Sequence, residues 1–155
     1  MKIFFHSALL AFLTWLLLSL NAVAQNADLT INDLSGRWRI EVIDRPNDDF
    51  KGTATIPHMI NDTAKTVMAE TITEDKCCGG KNHARVLQDS RITITETGEI
   101  IVDSKIVKYL LRKEELDLTY SADDFVLRWE DKDTLIGTAN GWTPVRWVRD
   151  LDLVS

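Results

Sequence analysis

The chain has 155 residues, with 18 Lys and Arg against 24 Asp and Glu, a net charge of −6 and only two cysteines. That length suits one domain around a single core. A net acidic surface of mixed sign lacks the basic face that displaces counterions from nucleic acid or an anionic membrane, so neither is an expected partner.

In chain order, Lys2, the apolar run Ala8–Leu20 and the small-x-small pattern Ala22-Val23-Ala24 read as a cleavable export signal over residues 1–24. The run is shorter than the roughly 20 apolar residues of a spanning helix, and no Lys or Arg follows closely to stop transfer. An exported protein, periplasmic or secreted, with no membrane insertion after cleavage is therefore expected. Removing the signal takes away Lys2 and no acid, so 17 bases stand against 24 acids in residues 25–155. Residues 25–33 are polar and read as a leader, 34–150 as the folded domain and 151–155 as a tail.

From Gly36 onward the apolar residues repeat every second position, the period of a strand with one buried face. Trp38, Ile40 and Val42 alternate with Arg37, Arg39 and Glu41. Ile92 and Ile94 alternate with Arg91, Thr93 and Thr95, and Phe125, Leu127 and Trp129 with Arg128 and Glu130. Turn-forming clusters punctuate these runs at 44–48, 60–62, 74–82, 97–99, 121–123, 131–133 and Asn140-Gly141. The spacing predicts short strands near 38–43, 51–56, 66–73, 85–96, 99–108, 116–120, 125–130, 134–139 and 144–149. Residues 106–115 have an ambiguous period and are expected to hold the end of one strand and a loop. The fold class is all-β, about eight to nine antiparallel strands. Exposed edges invite pairing between chains, so an up-and-down β-barrel is the economical closure, with a two-sheet β-sandwich as the alternative.

Leu34-Ser35-Gly36-Arg37-Trp38 at the head of the first strand resembles the Gly-x-Trp signature that opens lipocalins and their calycin relatives. Gly137-Thr138-Ala139, Trp142 and Trp147-Val148-Arg149 are similar to the close of small bacterial lipocalin-like domains. The resemblance implies a lipocalin-like barrel in which Trp38 seals the closed end and Arg149, from the last strand, packs across it. Gly36, Trp38, Trp147 and Arg149 are then the structural signature. The strand parity is compatible, because Val145, Trp147 and Arg149 share one face. Ser121 to Phe125 only faintly echoes the second motif of typical lipocalins, and six residues follow Arg149, so a compact calycin-like relative is expected.

Cys77-Cys78-Gly79-Gly80, with Lys76, Lys81 and His83 nearby, is the most unusual local feature. Adjacent residues have Cα atoms about 3.8 Å apart, below the usual disulfide range, so a bridge between them is strained and reducible. Four readings stay open: a vicinal disulfide that stiffens a turn, thiols paired with another chain or a small thiol, an inert reduced pair, and a soft-metal site using Cys77, Cys78 and His83. The last has three visible ligands where structural zinc normally has four, and His58 completes it only if the loops meet.

No catalytic residue and no cofactor are expected. His58 and His83 read as solvated loop residues beside Pro57 and Asn82. The acid pairs Asp48-Asp49, Glu114-Glu115 and Asp123-Asp124, and Asp131-x-Asp133, read as hairpin loops rather than an acid/base couple or calcium loop. None of the common hydrolase, metalloprotease or phosphate-loop motifs is present. Asn61-Asp62-Thr63 is a formal glycosylation acceptor.

The resemblance implies a non-catalytic binding protein for a small apolar or amphipathic ligand held inside the barrel. The alternatives are a redox- or metal-responsive protein working through Cys77 and Cys78, and a filled barrel acting through its outer surface as an envelope accessory or partner-binding domain.

Overall fold

The structure, a computed structural model, describes residues 29–43, 50–61, 63–116 and 120–151. The expected export signal, residues 25–28 of the leader, Asp48-Asp49, Asp62 and residues 152–155 lie outside the described residues. No helix among the described residues is long and apolar enough to cross a membrane.

Eight strands form one closed antiparallel up-and-down barrel: β1 (Gly36–Val42), β2 (Phe50–Ile56), β3 (Thr66–Cys77), β4 (Asn82–Ile94), β5 (Ile100–Glu114), β6 (Phe125–Asp131), β7 (Thr134–Ala139) and β8 (Thr143–Arg149). Each strand pairs with its sequence neighbours, and β1 closes the cylinder on β8 through Trp38↔Arg149, Ile40↔Trp147 and Val42↔Val145. Closure satisfies the main-chain groups that an open sheet would leave at its edges, which a sandwich does not do.

The alternation read from the sequence sorts the side chains correctly. Trp38, Ile40, Ile92, Phe125 and Leu127 are buried in the core, and Val42, Ile94 and Trp129 are partly buried against it; Ile100, Val102, Leu135, Val145 and Trp147 complete the core. Edge-on ring pairs, Trp38 with Trp129 at 5.9 Å and Phe125 with Trp147 at 5.1 Å between centroids, fill this part of the interior. At Gly137 an added Cβ would lie 1.9 Å from the Val126 carbonyl oxygen, so β6 and β7 approach too closely there for any side chain.

The strands differ from expectation at several places. The turn expected over 74–82 is confined to a short 3-10 segment, Cys78–Gly80, and Lys81, because β3 and β4 pair continuously out to Cys77↔Asn82. His83, expected in a loop, is therefore a strand residue. β5 runs unbroken to Glu114 where a loop was expected. Its ambiguous period has a physical cause: the register against β4 shifts twice, so that Gln88 faces Ile106, Val86 faces Tyr109 and Ala84 faces Arg112. Two extra residues, Val107 and Leu110, are thereby accommodated, and the inward positions recur every third residue, imitating a helix. The strand expected over 116–120 does not form at its described ends, since Leu116 and Tyr120 belong to no strand; residues 117–119 lie outside the described residues. Within the polar leader, Ile31 is only 1% exposed: it sits in a 3-10 helix, Ile31–Leu34, whose Ile31 and Leu34 join the core at the foot of the barrel.

Candidate functional site

The two ends of the barrel are built from different chemistry. At the end where β1 begins, the 3-10 helix and Trp38 close the cylinder. The Trp38 indole Nε1 donates to Leu34 O at 2.8 Å, and the Arg149 guanidinium carbon stands 4.3 Å from the Trp38 ring centre. The same guanidinium donates to Ser35 O and Asp33 O, both at 2.6 Å, and to Asp133 Oδ1 at 3.1 Å. It thus ties the helix and the β6–β7 turn to the last strand, using its planar fork where a lysine has one point of attachment. Gly36, at φ 117°, keeps the backbone clear: a Cβ there would come within 3.3 Å of Arg149 Nη1. All four residues of the sequence signature are placed by this end or by the core above it, Trp147 being fully buried.

The opposite end carries the β3–β4 turn, the β7–β8 turn, Glu115, Leu116 and residues 120–124. Here the inward residues of β3 and β4 are polar. Thr71, Thr73, Gln88 and Ser90 are all completely buried. Thr71 Oγ1 meets Ser90 Oγ at 2.8 Å, and Ser90 Oγ meets Ser104 Oγ at 2.9 Å.

The segment returning from β5 inserts Asp123 into this lining, leaving it 3% exposed. Its carboxylate accepts hydrogen bonds from Thr73 Oγ1 at 2.6 Å, from Asn140 Nδ2 at 3.0 Å, and from the Tyr120 hydroxyl. The Asp123 main-chain N–H donates to Gln88 Oε1 at 2.9 Å, and Gln88 Nε2 donates back to Thr73 Oγ1 at 2.8 Å. No ion pair reaches Asp123 among the described residues, so neutral dipoles meet its buried charge. A buried polar group is tolerated only when partnered, and this one is partnered on both oxygens. Burial, helped by the adjoining Asp123, pushes the Tyr120 phenol well above its ordinary range, so it stays a protonated donor.

Asn140 has the left-handed backbone of the Asn140-Gly141 turn. That turn sets its side chain between Asp123 and the Asp124 N–H, which donates to Asn140 Oδ1 at 3.0 Å. Asn82 fastens the other end of the returning segment, accepting from Leu116 N at 2.9 Å and donating to Leu116 O at 3.1 Å.

Beside Tyr120 and Asn82 lies a hollow of about 190 Å³, lined also by Asp75, Cys77, His83, Ala84, Lys113 and Glu114. A larger hollow of about 370 Å³ at the closed end lies between the start of the 3-10 helix and exposed loop residues near Lys65 and Glu96. No buried polar side chain lines it, whereas Asn82 and the Tyr120 hydroxyl adjoin the hollow at the open end. Small-molecule sites combine concavity with a few convergent polar groups, which selects the open end.

No family model, curated protein or solved structure matches the chain. What is known of its site therefore rests on its own geometry.

The three residues considered for a soft-metal site form no ligand cluster, although Cys77 and His83 both border the hollow. Cys77 shares the inner face with Asn82, while His83 pairs with Lys76 on the outer face and its Nε2 lies 2.8 Å from Glu74 Oε1. Burial works against the charged form of Glu74, yet the His83 hydrogen bond and the Lys51 and Lys76 charges outweigh it and hold the carboxyl below its ordinary range. Among the described residues no cluster of three or more His, Cys, Asp or Glu is arranged to hold a metal ion. The sulfurs of Cys77 and Cys78 are 2.7 Å apart.

Sequence reasoning missed Asp123, Tyr120, Gln88 and Asn140 as a unit. A signal was present: Thr71, Thr73, Gln88 and Ser90 occupy strand positions whose parity points inward, where apolar residues are the norm.

Proposed function

We propose that this protein is an exported, compact relative of the calycin barrels that binds a small amphipathic molecule at its open end without chemically changing it. The observation that carries the reading is the hollow bounded by Tyr120, whose hydroxyl is held by the Asp123 carboxylate. Asp75, Lys113 and Glu114 set charges of both signs around the polar part of a ligand, and Tyr120 and Ala84 offer apolar surface to the rest. The hollow is smaller than the roughly 300–1,000 Å³ of drug-sized sites, so the ligand is small or projects into solvent. The Arg149–Trp38 stacking at the closed end is what a calycin relationship leads one to expect, and supports that part of the reading.

An interior lined wholly by Trp, Phe, Leu and Ile suits an apolar ligand, but the apolar half here is occupied by the chain's own side chains. That distribution moves the expected ligand from apolar to amphipathic and from the centre of the barrel to its mouth.

Native mass spectrometry of the protein purified from its own compartment without reductant tests the reading. A mass excess that is lost on denaturation, and is absent from Asn82→Leu, supports it and identifies the ligand class. A bare chain that also shows no chemical-shift changes at the mouth in a millimolar fragment screen overturns it in favour of a barrel working through its outer surface.

A further inference from the structure

Along an extended strand, neighbouring side chains leave on opposite faces. Cys77 and Cys78 would therefore be kept apart if β3 continued. It ends at Cys77, and Cys78 takes a left-handed backbone at φ 59°, followed by Gly79 at 68° and Gly80 at 79°. The left-handed region penalises residues that carry a Cβ, and glycine is the residue usually found there. A cysteine held in it is an observed backbone outlier of the kind that collects at functional positions. Its consequence is geometric: the turn at Cys78 defeats the strand alternation and the two sulfurs meet, 2.7 Å apart.

The surroundings are rigid below and open above. β3 and β4 pair residue by residue from Thr66↔Thr93 to Cys77↔Asn82, and Lys113 Nζ donates to Gly80 O at 3.0 Å, tying the turn to the end of β5. Beyond the turn nothing lies within 4 Å of where side chains at Gly79 or Gly80 would stand. Cys78 is exposed and Cys77 half-buried.

We propose that Cys77 and Cys78 form a thiol–disulfide exchange site for low-molecular-weight disulfides. Cys78, the accessible sulfur, attacks as thiolate on one sulfur of an incoming disulfide. That S–S bond breaks, a mixed disulfide forms on Cys78, and the first small thiolate leaves and takes up a proton. Cys77, as thiolate, then attacks Cys78 Sγ, closes the Cys77–Cys78 bridge and expels the second small thiolate, which is also protonated. The two cysteines lose two electrons and two protons, and the small disulfide gains both as it becomes two thiols. A bridge between neighbours closes with Cα atoms nearer than disulfides prefer, so the reverse reaction with small thiols is also open and the site cycles. None of this depends on the ligand reading, although Cys77 also lines the hollow.

The test equilibrates the full chain in glutathione buffers from reducing to oxidising, quenches with acid, alkylates and weighs the products. The expected result is that both alkylatable thiols disappear together into a species lighter by two hydrogens, while Cys77→Ser stops at one glutathione adduct on Cys78. Bridge formation is also expected to be favoured about tenfold, equivalent to about 30 mV, in the native chain over the chain in denaturing guanidinium chloride. That comparison decides the matter if the serine variant fails to fold. The proposal is overturned by two thiols that stay alkylatable throughout, by two glutathione adducts on one chain, by a disulfide-linked dimer, or by equal equilibria in the native and denatured chain.

Discussion

The closed and open ends of this barrel are built from opposite materials. The closed end is shut by apolar volume, Ile31, Leu34 and Trp38, and one cation spread over main-chain carbonyls. The open end is lined instead by polar groups, with the Asp123 carboxylate accepting from Thr73, Tyr120 and Asn140. Apolar packing acts without regard to direction and stabilises in proportion to area, whereas a buried polar network stabilises only while every partner is in place. The difference predicts an end that is globally stabilising and an end that opens locally.

Breaking the closed end gives the largest expected effect. Trp38→Ala removes a fully buried indole and costs about 3–5 kcal/mol, and Arg149→Met strands the Asp33 and Ser35 carbonyls for about 2–3 kcal/mol. Arg149→Lys restores only part of the loss, since an ammonium lacks the fork. Urea denaturation reads all three, and a closed end that tolerates Arg149→Met within a few tenths of a kcal/mol contradicts this assignment of roles.

Asp123→Ala comes next, at about 1–2 kcal/mol, because Thr73, Gln88, Tyr120 and Asn140 lose a shared acceptor at a site water can reach once the segment loosens. Hydrogen exchange sharpens the contrast. Amides of the returning segment that bond to Asn82 and Asn140, Leu116 and Asp124 among them, are expected to lose protection in this variant while those of β1 and β8 keep theirs. Uniform loss of protection across the barrel would mean that the two ends are energetically one unit.

The smallest effect is expected at Tyr120→Phe, about 1 kcal/mol at neutral pH. Its signature is the pH dependence. The folded protein holds the Tyr120 proton above the ordinary tyrosine value of 10.0, so above pH 10 the unfolded chain loses a proton that the folded chain retains. The stabilising effect of the folded site is complete below that value and is lost as pH rises beyond it. Between pH 9 and pH 11 the urea midpoint of the wild type should therefore fall more steeply than that of Tyr120→Phe. Parallel slopes would show that Tyr120 ionises as readily folded as unfolded.

Much of this architecture was legible beforehand because period two is local information. Wherever alternation was clean, as in Trp38-x-Ile40 or Phe125-x-Leu127, strand, face and core membership followed together. Gly36, Trp38 and Arg149 were singled out by a resemblance, and the contact of Arg149 with Trp38 is one that the strand parity allows. The reading weakened where the chain breaks its own period. The shifted register of β5 made residues 106–115 look part helical, and His83 was taken for a loop residue because Gly79-Gly80 and Asn82 crowd the turn.

The candidate site was hardly legible at all. Asp123-Asp124 has the composition of a hairpin turn, and nothing near it in sequence announces Thr73, Gln88 or Asn140, which are 50, 35 and 17 residues away. The sequence by itself determined the all-β class and the strands and buried faces where alternation is clean, because backbone pleating acts between near neighbours. Only the tertiary structure decided between barrel and sandwich, how far β3, β4 and β5 extend, and that a carboxylate is carried into the mouth, because burial and partnership depend on segments that meet only once the sheet has curled back on itself.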